Sequence, residues 1–289
     1  MCIRDSLNRE ACTAPQSVEP QLFGLLRLAK ELSEQTDNAF DLTTEPLIQL
    51  WRDCRAAVRV PTQDEIDGRL AMVGMNHVTL DSEHETLSLS QTGTSINLGA
   101  IGKGYALDRM ASWLSEKASE TTTVNTNEDN NPNGDFLLHG GQSSLLARGS
   151  HTGCNGWPVG IGNPLFTDRR LGTIVLQDQA LATSGSNIQY YRVGDRRYGH
   201  ILDPRTGWPV DGTLSVTAIA DTAAKADALS TAFYVMESEQ IAAFCQSHPD
   251  VGAILIPLPK GDRRVQPSVF GIDPQQVYWN SEQIRTPEE

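Results

Sequence analysis

The sequence predicts an α+β domain, and three observations carry that reading. Strand-like segments follow one another through the middle of the chain, mostly joined by short turns. The helical patterns fall in groups before and after them, rather than alternating one-for-one with strands. The 289 residues, 39% of them hydrophobic, can bury one large core or two fused lobes, and no repeat of 20 to 50 residues divides them.

Gln21 to Thr36 reads as the first helix, with Leu22, Leu25, Leu26, Ala29 and Leu32 on one stripe. After Pro61, Thr62 and Glu65 stand at the spacing that lets a hydroxyl and a carboxylate satisfy the first helical N–H groups reciprocally. A short helix therefore opens there and runs towards Leu70. His77 to Asp81 and Glu85 to Ser90 alternate as a hairpin, and Thr94 to Leu98 reads as a further strand. Gly99 to Gly104 leads into a helix carrying Leu107, Met110, Ala111 and Leu114.

Residues 115 to 135 are polar and of low complexity, with too little apolar area to order themselves, so a flexible surface insertion is expected there. Strands follow over Phe136 to His139, Ser144 to Ala147, Val159 to Ile161, Thr173 to Leu176 and Ile188 to Val193. Gly194 and Asp195 turn the chain into Arg196 to His200. Leu214 to Ala220 is a strand, Asp221 is the expected cap of a long helix from Thr222 to Met236, and a second helix follows Ser238. Ala253 to Ile256 is the last buried strand.

Composition excludes several functions. A net charge of −13, with only five lysines (Lys30, Lys103, Lys117, Lys225, Lys260), argues against binding nucleic acid. No apolar run reaches the roughly 18 residues that span a bilayer. The five cysteines (Cys2, Cys12, Cys54, Cys154, Cys245) form no C-x-x-C pair, so they read as ordinary thiols rather than metal ligands or a disulfide scaffold. Met1 to Asn8 has no apolar core of a secretory signal. Met1 to Ser6 resembles translated adapter sequence, so the native start, with any export signal or lipid anchor, is expected to lie outside this chain. A small-molecule enzyme is the class that remains.

Three constellations can carry such chemistry. Gly99, Gly102 and Gly104 lie between a strand and a helix, where backbone amides can approach a phosphate at the positive helix end; a plain tight turn fits the pattern equally well. Asp227, Ser230 and Thr231 stand at i, i+3 and i+4 on one helix, so their oxygens can face one point and suit a hard cation such as Mg²⁺. They also suit a merely wet helix face. His200 precedes a turn offering Asp203 and Arg205, which fits a phosphate-handling rim. Thr183–Gly185 lacks the G-x-S-x-G elbow, so Ser184 is not read as a hydrolase nucleophile.

Taken in order, the motifs resemble the ApbE family of FAD:protein FMN transferases. The resemblance rests on Ala39 to Pro46 with Leu50 and Trp51, Ile96 to Asp108, His139 to Gly141, Ala182 to Gly185, His200 to Gly207, and Ala226 to Thr231. It implies an ApbE-like, T-fold-like arrangement of mixed, largely antiparallel sheets with packed helices, over about residues 7 to 256, followed by a tail from 257 to 289. It implies cleavage of FAD with Mg²⁺, attachment of FMN to a Thr of an acceptor flavoprotein carrying a Ser/Thr-rich flavinylation motif, and release of AMP.

Carried over by position, Ala39, Phe40, Asp41, Asn97, Lys103 and Ile201 are expected to contact FAD. Ala100 (through its carbonyl), Asp227, Ser230 and Thr231 are expected to hold the metal, and His200 to act as general base. Asn97 stands where the family often has Asp, and Ser230 where a second metal carboxylate can occur. The N-terminal strand that lines the FAD site in relatives has no counterpart in the chain. An extracytoplasmic, membrane-anchored or periplasmic location is the family expectation. The alternatives are an Mg²⁺-dependent FAD pyrophosphatase yielding FMN and AMP, and a non-catalytic flavin-binding protein.

Overall fold

The structure, a computed structural model, describes residues 3–122, 134–141, 143–185, 190–259 and 264–284. Its helices are α1 (Ile3–Glu10), α2 (Pro20–Gln35), α3 (Glu45–Ala56), α4 (Gln63–Leu70), α5 (Gly102–Thr122), α6 (Ala223–Val235) and α7 (Ser238–Ser247). Its first seven strands are β1 (Gln16–Ser17), β2 (Val78–Asp81), β3 (Thr86–Leu89), β4 (Phe136–His139), β5 (Ser144–Arg148), β6 (Trp157–Gly162) and β7 (Arg170–Leu176). The others are β8 (Ala180–Gly185), β9 (Tyr190–Val193), β10 (Arg196–Gly199), β11 (Thr213–Ala220), β12 (Gly252–Pro257), β13 (Ser268–Phe270) and β14 (Val277–Trp279). Every pairing between named strands is antiparallel, and with the helices this is an α+β fold.

The chain forms two compact units, each described by itself. The first comprises Met1–Ala100 and Ile188–Asp211. Its α2 buries Phe23, Leu25, Leu26, Ala29 and Leu32; of the stripe expected from the sequence Leu22 is only half-buried, and Phe23 joins it. Helix α4 opens with the reciprocal Thr62–Glu65 cap. The β9–β10 hairpin lays one face on α3. There Trp51 meets the rings of Tyr191, Tyr198 and Trp208 at centroid distances of 6.1, 5.6 and 5.4 Å. The Trp51 indole N–H donates to the Gly207 carbonyl at 2.8 Å. Gly207 has φ +74°, and a Cβ there would stand 2.6 Å from Ile66 Cγ2, so the turn after His200 needs glycine for both reasons.

The second unit comprises Ile101–Asn187 and Gly212–Glu289. A six-stranded sheet in the order β13-β12-β11-β8-β5-β4 divides two apolar layers. On one side, Leu145, Leu181, Ile219 and Ile254 pack with Leu171, Ile174 and Leu176 of the three-stranded sheet β14-β7-β6. On the other side, Leu146, Ala180, Ala182 and Ala220 pack with Leu107 and Ala111 of α5 and Ala223 and Ala226 of α6. Eleven of the 13 residues of α6 are buried, so this helix is enclosed on all sides.

Several expectations are corrected. Thr94–Leu98 is not a strand: only an isolated bridge joins Ser95 to Thr44, and Ile96 is tied to the Asn8 side chain in both directions. The cap of α6 is Thr222, whose side chain accepts from the Lys225 N–H, whereas Asp221 accepts from Thr222 and lies 3.5 Å from Lys225 Nζ. Helix α5 continues to Thr122, into the stretch expected to be a flexible insertion; residues 123–133 of that stretch lie outside the described residues. The segment set aside as a tail supplies β13 and β14, an edge strand to each sheet of the second unit. The described cysteines, Cys12, Cys54, Cys154 and Cys245, are free thiols. Among the described residues no helix is long and apolar enough to cross a membrane.

Candidate active site

The crossing of α5 and α6 builds an oxygen-rich site within the second unit. Gly104 is the key to the crossing: a Cβ there would lie 2.0 Å from the Ala223 carbonyl oxygen and 2.7 Å from the Ala224 nitrogen. Backbone meets backbone at this point, and only glycine permits it. Each helix then supplies a carboxylate to the other's first turn. Asp108 of α5 accepts from the Ala223 and Ala224 N–H groups at 2.8 Å each, and Asp227 of α6 accepts from the Gly104 N–H at 3.0 Å. Carboxylates at helix N-termini satisfy otherwise unpaired donors and favour the positive dipole end.

Asp227 is 5% exposed, and its other oxygen accepts from the Ser144 hydroxyl at 3.0 Å. Lys103 Nζ lies 3.8 Å from that oxygen and also donates to Ser143 Oγ. Burial pushes the Asp227 carboxyl above the ordinary range, against the opposing pull of Lys103, the Gly104 N–H and Ser144. The Asp108 carboxyl is likewise raised by burial, opposed by its two backbone donors.

Hydroxyls complete the cluster. Ser230 donates to the Asp227 carbonyl at 2.9 Å, and Thr231 Oγ1 stands 3.4 Å from the same carbonyl. Ser184 lies 2.8 Å from Ser230 and 3.4 Å from Thr231. Hydroxyls whose protons turn back into the protein leave their lone pairs available to a cation. Among the described residues no group of three or more His, Cys, Asp and Glu could hold a metal. The donors at this site are instead one carboxylate and alcohol oxygens, a hard set that fits Mg²⁺. Sequence reasoning identifies Asp227, Ser230, Thr231 and Lys103 but misses Ser144 and Asp108, and sets Ser184 aside. Their membership depends on pairings 46 to 115 residues apart, which no local motif reveals.

The other expected site residues, Ala39, Phe40, Asp41, Asn97, Ala100, His200 and Ile201, belong to the first unit. Ala39 and Phe40 are each 1% exposed, and Phe40 is among the largest fully buried side chains. Asp41 is also buried, and its carboxylate organises the local turn. One oxygen accepts from the Thr43 N–H and hydroxyl at 2.6 and 2.5 Å, the other from the Met75 N–H at 3.0 Å. Burial raises its pKa against these bonds and the nearby His77. Ile201 is buried and its carbonyl accepts from Val210 N–H at 3.0 Å, while His200 is exposed at the end of β10. Asp203 holds Arg205 through two 2.9 Å side-chain bonds, fixing the turn that follows His200.

Asn97 explains its own departure from aspartate. Its amide NH₂ donates to Glu45, and its oxygen accepts from the Gly99 N–H at 2.7 Å. In an Asn97→Asp variant two acceptor-only carboxylates would face each other, raising their joint pKa. Stability should then fall as pH rises through that raised pKa. The expected loss is about 1–2 kcal/mol at pH 7.5, shrinking at pH 4.5, read by urea unfolding at both.

The ApbE family profile matches residues 5–255. An FAD:protein FMN transferase of Klebsiella pneumoniae is 31% identical over 253 residues, covering 86% of this chain and 73% of the relative. One of Escherichia coli is 28% identical over 239 residues, covering 81% of this chain and 64% of the relative, so the chain spans about two thirds to three quarters of these relatives. The crystal structure of the ApbE protein of Thermotoga maritima superposes with a TM-score of 0.74 at 30% identity, covering 88% of this chain and 78% of that one. The flavin transferase ApbE of Vibrio cholerae gives 0.73 at 25% identity, covering 92% and 80%. The chain belongs to the ApbE family.

Proposed function

We propose that the chain is an FAD:protein FMN transferase that uses Mg²⁺, modifies a Thr hydroxyl of an acceptor flavoprotein and releases AMP. The observation that carries this reading is the buried Asp227 carboxylate beside the Ser184, Ser230 and Thr231 oxygens, with Lys103 and the Gly104 N–H at the same point of the second unit. Asp227, Ser230 and Thr231 would hold the cation. When bound, the cation neutralises charge on the pyrophosphate.

The chain's own groups do the rest. Lys103 offers a positive charge to a phosphate oxygen, and Ser144 with the Gly104 N–H holds Asp227 in one orientation. In the reaction the acceptor oxygen bonds to the FMN phosphorus, the phosphoanhydride bond to AMP breaks, and the hydroxyl proton leaves to His200. Asp41, Asn97 and Ile201 support the flavin end, Asp41 and Asn97 through the turns that they fix and Ile201 through the loop after His200. An extracytoplasmic location follows from the family resemblance, and fractionation of source cells tests it.

The deciding experiment combines the protein, FAD, MgCl₂ and an acceptor domain with the Ser/Thr-rich motif, read by intact-protein mass. The expected gain is one FMN, abolished by EDTA. Free FMN and AMP without a gain would replace transfer by hydrolysis. Full turnover across pH in His200→Gln would remove His200 from the chemistry.

A further inference from the structure

The β9–β10 hairpin carries a basic platform that nothing in the active site uses. Register pairs Arg197 with Arg192 and Tyr198 with Tyr191. Side chains alternate across a sheet, so Tyr191, Val193 and Tyr198 face the aromatic cluster of the first unit, while Tyr190, Arg192, Arg197 and Gly199 share the opposite face. On that face two arginines occupy directly opposed positions. Like charges in directly opposed positions disfavour the hairpin. Arg192 and Arg197 are both exposed, and neither is in an ion pair among the described residues, although the whole chain carries a charge of −13.

The platform is also stiffened. The Arg197 guanidinium lies 4.8 Å over the Tyr190 ring, while on the other face Arg196 lies 5.3 Å over Tyr198. Gly199 leaves backbone bare beside Tyr190, and the next residue is His200.

We propose that this face docks an acidic segment of the acceptor protein, with carboxylates neutralising Arg192 and Arg197; the proposal rests on the transferase reading. Alternate side chains of an extended peptide share one face, so two carboxylates in i and i+2 positions can reach the two opposed arginines together. The platform is too small for an anionic membrane, which is bound by clusters of about four to eight basic residues. Here two arginines, Arg192 and Arg197, share the face.

Two peptides test the proposal. Both carry the Ser/Thr-rich motif, one flanked by an aspartate tract and the other by a lysine tract. Binding is read by fluorescence anisotropy without FAD, and transfer by mass. The native protein should bind the aspartate peptide about tenfold more tightly at low salt, with the difference closing near 0.5 M NaCl. Arg192→Ser/Arg197→Ser should erase the preference, while Arg27→Ser/Arg69→Ser, an equal change in net charge, should keep it. Equal binding of the two peptides by the native protein, or a preference surviving in Arg192→Ser/Arg197→Ser, would overturn the platform. So would arginine-dependent binding to phosphatidylserine vesicles without peptide preference. Preferential binding of the aspartate peptide without FMN transfer would keep the platform and overturn the transferase reading instead.

Discussion

Asp227→Ala is expected to lower turnover by about a thousandfold or more, the equivalent of roughly 4 kcal/mol of transition-state stabilisation. The variant removes the one carboxylate of the oxygen cluster and also leaves the Gly104 N–H and the Ser144 hydroxyl without their acceptor. Each orphaned buried group costs about 1–3 kcal/mol, so lost activity in this variant mixes chemistry with folding.

Asp227→Asn separates the two. It keeps an oxygen but not the charge, and it should lose activity while unfolding near the native midpoint. The sign of its pH dependence is set by burial, which raises the native Asp227 carboxyl above the ordinary range. The folded state then holds its proton more tightly than the unfolded chain, so the native protein loses stability as pH rises through that raised value. Without Mg²⁺, Asp227→Asn should therefore gain on the native protein between pH 4.5 and 8 in urea unfolding. Added Mg²⁺ should stabilise the native protein and leave Asp227→Asn unmoved, because only a ligand that binds the folded state shifts the equilibrium. An equal Mg²⁺ response in both would remove Asp227 from the metal site.

Gly104→Ala should cost about 3 kcal/mol or more, the upper end for overpacking. The added methyl meets the Ala223 carbonyl oxygen at 2.0 Å and its carbon at 2.4 Å. Those atoms are backbone, so no rotamer change relieves the contact and the two helices must separate. Separation also pulls the Gly104 N–H from Asp227 and the Ala223 and Ala224 N–H groups from Asp108, so activity should fall with stability. Gly68→Ala in α4 is the matched control. A Cβ there meets nothing within 4 Å, and the change should stabilise by about 0.5–1 kcal/mol through helix propensity. Equal urea midpoints for the two variants would refute the close-approach account.

Features confined to a few consecutive residues are legible in the amino-acid sequence. The Leu stripe of α2, the Thr62–Glu65 cap and the i, i+3, i+4 face of Asp227, Ser230 and Thr231 all follow from helical periodicity. Features that depend on distant partners are not. Asp108 looks like an ordinary polar helix residue until Ala223 arrives 115 positions later, and Ser144 sits 83 positions from Asp227. The three-residue strands β13 and β14 are too short to show alternation. Thr94–Leu98 alternates like a strand, but only an isolated bridge at Ser95 forms there, while Ile96 is held by the Asn8 side chain instead of a ladder. The AFD motif at Ala39 to Asp41 marks the right region of the chain, yet periodicity does not say that Ala39 and Phe40 are enclosed on every side.

The bond from Trp51 to Gly207 has a consequence for synthesis. Its partners are 156 residues apart, and the unit that it belongs to is completed only by the segment ending at Asp211. At about 5–20 residues per second, a ribosome needs roughly 8–30 s to go from one to the other. During that interval α3 carries Trp51 without Tyr191, Tyr198 and Trp208, the rings that cover it in the finished protein. The nascent chain thus holds an unsatisfied aromatic surface throughout the synthesis of the strands β4 to β8, and its first unit cannot close until the segment ending at Asp211 has been made.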